Sequence, residues 1–203
     1  MEKDALLKYI AKTGYNVGFG AKTHFATYDM IEKIPGLISI ISIGVGIFAL
    51  INDFLAKDFI SATFIVLGII GLYVSFWDAR KSEYSKAGVA LTQLCNELEK
   101  LYRKTNSMED SSIGFAGIET EVRSIESTFY GTAISKQMSF SGWFAHYKFF
   151  WEHQIDWIDE QLHFKFLRDK VPLSLTLCVA IFLVTGAATI NWKYSSLIQY
   201  LCP

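Results

Sequence analysis

Charge is missing from three long stretches of this 203-residue chain: residues 34–52, 59–77 and 171–192 contain no Asp, Glu, Lys or Arg. They run for 19, 19 and 22 residues. At 1.5 Å of rise per residue, 19 helical residues cover about 28 Å, close to the hydrocarbon thickness of a bilayer. Three such helices buried in a soluble core would leave too little amphipathic sequence to surround them. The expectation is three membrane spans, built around "LISIISIGVGIFALI", "FISATFIVLGIIGLYVSFW" and "VPLSLTLCVAIFLVTGAATINW".

Other absences narrow the function. Cysteine occurs only at Cys95, Cys178 and Cys202, with no C-x-x-C, so neither a zinc site nor a disulfide framework is indicated. A formal net charge of −1 provides no bulk attraction for nucleic acid, and direct nucleic-acid binding is not expected. The first 33 residues contain no continuous apolar segment of the kind a cleavable signal peptide needs, so the first span is expected to target the chain itself. No serine has a G-x-S-x-G setting, and no acidic pair is placed for general acid–base work. The spans hold no ionisable group at depth, which argues against a proton relay or a coupled transporter. No catalytic, cofactor-binding or metal residue is assigned, and no enzyme is expected.

The stretch "GYNVGFGAKTHF" (14–25) invites a nucleotide-binding reading. A phosphate-cradling loop reads G-x-x-x-x-G-K-[ST], because bare backbone N–H groups must wrap the phosphates. Aligned on Lys22-Thr23, that pattern finds Asn16 and Ala21 where glycines are required. Such loops also follow a buried strand, whereas "EKDALLKYIAK" precedes this one. Steps of three and four residues instead connect Leu7, Ile10, Gly14, Val17, Ala21, His24, Tyr28 and Ile31 as one helical stripe. Gly14, Gly18 and Ala21 are then small residues on a face that another helix approaches closely.

The same spacing continues past the second span. Tyr84, Ala87, Leu91, Leu94, Leu98 and Leu101 predict a helix running from the bilayer into the cytoplasm, with Glu99 and Arg103 as an i,i+4 pair outside it. "TNSMEDSSIG" (105–114) reads as a loop, and Ile118, Val122, Ile125 and Phe129 as a shorter helix. From Trp143, the residues Phe144, Tyr147, Trp151, Ile155, Ile158, Leu162 and Phe166 read as one more long helix leading to Pro172 and the third span. Its aromatic face suits either the membrane interface or the core of the cytoplasmic bundle. His153, Asp156, Glu160 and His163 share a 3-4-3 spacing on it. They would span about 15 Å, so one ion could reach only two of them, and surface charge explains them as well.

Within the hairpin, Ser39, Ser42, Gly46, Ala49 and Asp53 fall on one face of the first span, and Ser61, Gly68, Gly71 and Ser75 on one face of the second. Helices in lipid associate through small and hydroxyl-bearing faces. The faces serve either packing within the hairpin or self-association of hairpins around a polar path. Seventeen of the nineteen basic residues lie in 1–33 and 78–170, which predicts that these segments are cytoplasmic. The expected fold is all-α: a cytoplasmic amphipathic helix (1–33), a transmembrane hairpin (34–77), a cytoplasmic helical bundle (78–170), a third span (171–192) and an external tail (193–203).

With these parts in order, the chain resembles the SLATT family of bacterial membrane effectors. The likeness lies in the sequence of elements and in "YNVGFGAKTHFATYDMIEKIPGLI", "KAGVALTQLCNELEKLY" and "LHFKFLRDKVPLSL". The third span departs from the minimal two-span form. The resemblance implies an effector of antiphage defence in the bacterial inner membrane. Such an effector would oligomerise and form a pore or disturb the bilayer, ending in growth arrest or cell death. Its implied partners are lipid, further copies of itself, and a nucleotide-messenger synthase, a reverse transcriptase or another sensor. The alternative is a non-conducting anchor or scaffold that holds a soluble partner.

Overall fold

A computed structural model describes residues 2–50, 58–109, 114–153 and 155–201. The described residues are helical, with no strand among them: α1 (Lys3–Ala49), α2 (Asp58–Ser75), α3 (Lys81–Ser107), α4 (Phe115–Thr132), α5 (Ser141–Trp151), α6 (Asp156–Leu162), α7 (Phe166–Asp169) and α8 (Leu173–Leu201), with one 3-10 turn at Asp78–Arg80 between α2 and α3. Contacts divide the chain into two units, Met1–Leu162 and His163–Pro203. The second contains α7 and α8, and α8 alone is 29 residues long.

In the first unit, α1 is a single helix of 47 residues, half in a bundle and half bare. Its bundle half buries Leu6, Leu7, Ile10, Val17 and Ala21 against Leu91, Cys95, Leu98 and Leu101 of α3 and Phe115, Ile118, Val122 and Ile125 of α4. These are the three-and-four-spaced positions of each helix, so one apolar stripe of each faces the others. Each fully buried Leu or Ile contributes roughly 1.5–3 kcal/mol. Polar side chains stitch the same helices at their edges. Tyr9 donates to Glu126 on α4 at 2.9 Å, and Lys3 donates to the Met108 carbonyl, just past the end of α3, at 2.6 Å. Past Ile31 the other half changes character: Leu37, Ile40, Ile43 and Ile47 are all more than half exposed. Pro35 lies inside the helix and removes one backbone donor there.

Two helical runs, Lys3–Ala49 and Ile60–Ser107, are long and apolar enough to cross a membrane, and Leu173–Ala187 is a shorter apolar helical stretch. The first thirty residues of α1 pack against α3 in one bundle.

The expected single helix through 143–166 is a misreading. α5 ends at Trp151, α6 covers Asp156–Leu162, and Phe166 opens α7. The reason is a mismatch of spacing. Phe149 of α5 packs on Gly18 of α1, and Trp157 of α6 packs on Gly14. Gly14 and Gly18 are one turn apart, about 6 Å, whereas eight residues of unbroken helix would hold the two rings about 12 Å apart. The break after Trp151 lets both rings reach adjacent turns of α1. The inner face of α5 (Ala145, Phe149) joins the bundle core, while Phe140, just before it, and its own Tyr147 and Trp151 stay exposed.

Candidate functional site

The glycines of "GYNVGFG" are helical, in the middle of α1, and take no part in a loop. Each is covered by a ring or thiol from a neighbouring helix. A Cβ built at Gly14 would overlap the Trp157 ring. One at Gly18 would lie 3.1 Å from Phe149 and 3.2 Å from the Cys95 sulfur, and one at Gly20 would lie 2.9 Å from Phe129. Gly88 on α3 receives Phe25 in the same way, at 3.0 Å. Ala21 is buried on the same side of α1. Burial pushes the Cys95 thiol up to about 11, so it behaves as a packed apolar group at neutral pH. Lys22 is half-buried nearby, and burial, then the neighbouring Lys148, lowers its ammonium pKa.

The small residues of the hairpin sit in open space instead. Ser39, Gly46, Ser61, Gly68 and Ser75 are exposed, and Ser42, Ala49 and Gly71 are half-buried. A Cβ at Gly46 or Gly68 would meet no atom within 4 Å; one at Gly71 would meet the Ile38 Cδ1 at 3.7 Å, its nearest neighbour. Ser39 and Ser75 return their hydroxyls to their own helices, donating to the carbonyls of Pro35 at 2.9 Å and Leu72 at 2.7 Å. Asp53 lies outside the described residues.

A second apolar cluster closes the base of the hairpin, where Ile31, Val74, Trp77, Tyr84 and Met138 are buried together. The segment between α4 and α5 is tied across it one residue after another. The Ile134 N–H donates to Nε2 of His24 at 2.9 Å, so that nitrogen must accept. The ring proton therefore sits on Nδ1, which donates to the Gly20 carbonyl at 2.7 Å. His24 is 3% exposed, and burial lowers its pKa against the opposing pull of the Gly20 bond. The Tyr84 hydroxyl donates to the Lys136 carbonyl at 2.5 Å, Thr27 donates to the Gln137 side-chain oxygen at 2.6 Å, and the Tyr73 hydroxyl meets that of Ser139 at 3.1 Å. Ion pairs add a girdle. Lys81 bonds Glu32 at 2.5 Å, while Asp29 takes both Lys148 and, at 3.0 Å, Lys33. Burial tends to raise the Asp29 pKa, but the bonds from these two lysines outweigh it and hold the carboxylate below its usual range.

Sequence periodicity found the ring-covered glycines of α1 but missed this clasp. "AISKQMSF" has no helical or strand period, and its partners lie from 52 to 110 residues away, at Tyr84, Tyr73, Thr27 and His24. His146 and His153 are built into packing. His146 meets Phe19 edge to face and lies tilted against Phe150, and His153 lies near Phe149; burial lowers both pKa values. Glu160 accepts from Tyr102 at 2.9 Å, and His163 is exposed with a left-handed backbone. No cluster of three or more metal-ligating side chains occurs among the described residues.

No curated protein and no solved structure matches the chain significantly. A family does match, over residues 1–179: the SMODS and SLOG-associating 2TM effector domain 6. That span takes in the glycine-and-ring bundle, the hairpin and the clasp at its base. The two membrane-length helical runs agree with a two-span effector, and the chain belongs to the SMODS and SLOG-associating 2TM effector family.

Proposed function

We propose that this protein is the membrane effector of a bacterial antiphage defence system, residing in the inner membrane and acting as a homo-oligomer. On activation it forms a pore or disrupts the bilayer, and the cell stops growing or dies. The observation that carries this reading is the open small face of the hairpin. A Cβ at Gly46 or Gly68 would meet no atom within 4 Å among the described residues, and in lipid such faces are used for close helix approach. A second copy provides what the single chain leaves out. One chain has too few spans to enclose water, so a conducting path needs several copies, most simply in a closed ring, with hydroxyls and backbone carbonyls lining it.

The bundle is the regulated part of this scheme. The clasp from residues 133–140 to the base of α1 and α2 would hold the hairpin until an associated messenger synthase, reverse transcriptase or other sensor signals infection. The distribution of Lys and Arg favours a cytoplasmic bundle. A third span is proposed on the length of α8 and its charge-free run at 171–192, with the C-terminus outside.

The test is depolarisation of the inner membrane on overproduction. Gly46→Leu fits freely within one chain, so it should insert and fold normally yet abolish depolarisation by blocking contact between copies. Val45→Leu, one position round the helix, should remain active. Full depolarisation by a normally inserted Gly46→Leu protein would remove this face from the working interface. Absence of depolarisation under every trigger tried would favour the non-conducting anchor.

A further inference from the structure

At the foot of α2, where the apolar surface of the hairpin gives way to charge, a cavity of about 360 Å³ is lined by Tyr73, Phe76, Trp77, Arg80 and Lys136. Three of these are aromatic, two are cations, and none is an acid. We propose that this cavity binds the phosphate headgroup of an anionic phospholipid, with an acyl chain lying up the outer face of α2.

Three independent features favour that occupant. The first is how Lys136 is held. The four residues 136–139 are each fixed to the hairpin base: the Lys136 carbonyl by Tyr84, the Gln137 side chain by Thr27, Met138 by burial in the apolar cluster and Ser139 by Tyr73. Only the Lys136 side chain is left over. It is exposed, and its ammonium stands 5.0 Å from the centre of the Trp77 ring, so the backbone presents a cation at a prescribed place and the ring steadies it. The second is Arg80. Its Nε is engaged by Glu83 at 2.9 Å, which orients the guanidinium and leaves its two terminal nitrogens to donate to a phosphate oxygen. The third is what continues from the cavity. Phe76, Leu72, Ile69 and Ile65 recur at helical spacing and are at least 60% exposed. They make an apolar track about 16 Å long that starts at the rim, as an acyl chain requires and a soluble phosphate does not. Paired aromatic and basic side chains at this depth match the headgroup level of a bilayer. A lipid held between Arg80 and Lys136 would join the end of α2 to the clasp segment, so the headgroup would strengthen the tie between hairpin and bundle.

This inference rests on the hairpin spanning a bilayer but not on conduction, and membrane insertion is scored separately by resistance to alkaline extraction. The full-length protein is purified, stripped of lipid by detergent exchange and titrated with phosphatidylglycerol or phosphatidylcholine while retained lipid is counted by native mass spectrometry. Phosphatidylglycerol is expected to be retained in preference. Lys136→Ala, whose backbone bond to Tyr84 is untouched, should weaken that retention about fivefold, as for the loss of one basic contact near an anionic surface. Lys104→Ala, at the far end of α3, should have no effect. Equal retention of both lipids, or an unchanged Lys136→Ala protein, overturns the proposal. Displacement of phosphatidylglycerol by inorganic phosphate at matched concentration also overturns it, assigning the cavity to a soluble phosphate.

Discussion

Residues 3–31 of α1 are ringed by other helices, while residues 34–49 of the same helix have little around them. Glycine occurs in both parts. In the first it is covered by Trp157, Phe149 and Phe129; in the second, Gly36, Gly44 and Gly46 have nothing within 4 Å of where a side chain would begin. An interior glycine costs a helix about 1 kcal/mol relative to alanine. In the bundle, that cost is offset inside the chain by rings packed closely against the backbone. In the span, no close contact among the described residues offsets it, which points to lipid or another copy. One residue type at one spacing therefore serves two different ends, and its surroundings decide which.

The sharpest way to break this comparison is to insert the same bulk in each half. Gly14→Leu should cost about 3 kcal/mol or more, or prevent folding, because the Trp157 ring occupies the space. Gly46→Leu should not destabilise the detergent-solubilised protein and should gain up to about 1 kcal/mol from helix propensity. Combining Gly14→Leu with Trp157→Ala should be less damaging than the sum of the two by about 1 kcal/mol or more, since the ring that clashes is gone. Strict additivity would mean that Trp157 does not rest on Gly14.

A smaller effect tests the border between the halves, where His24 clasps residue 134. Its native pKa lies below the unfolded value of about 6.5. Between those values the unfolded chain binds the extra proton. Stability is therefore complete above about pH 6.5 and is lost as pH falls through that value towards the native pKa. Half-buried His146 and His153 act in the same direction. Chemical unfolding at pH 7.5 and 5.5 should show a drop in the midpoint, and His24→Leu should reduce that drop while costing about 1–3 kcal/mol at pH 7.5 for the stranded Ile134 N–H. A midpoint that rises on acidification would mean that His24 is not held neutral. The smallest effect is expected from a single methyl group. Gly44→Ala should stabilise the protein by at most about 1 kcal/mol, whereas Gly20→Ala should not, because Phe129 must move to admit it. Equal gains at both sites would erase the distinction between the halves.

The stripe from Leu7 to Ile31 and the stripe from Tyr84 to Leu101 were legible because an amphipathic helix repeats its burial every three or four residues. The absence of charge from 34–52 and 59–77 was legible because a bilayer admits few alternatives. Periodicity failed at Trp151, where the apolar spacing runs on but the chain bends. It could not register that two rings must reach glycines one turn apart. It also failed at 133–140, where four consecutive residues are fixed by partners from α1, α2 and α3.

What the sequence by itself determined was local and compositional: which segments are helical, which face of each is apolar, and which runs can lie in lipid. These follow from backbone geometry and transfer free energy, both properties of short stretches. Tertiary structure alone decided which ring covers which glycine, that His24 is neutral with its proton on Nδ1, and that Lys136 and Arg80 line one cavity beneath Trp77. Each of these depends on atoms brought together from distant parts of the chain, and the distances between them exist only once the helices have packed.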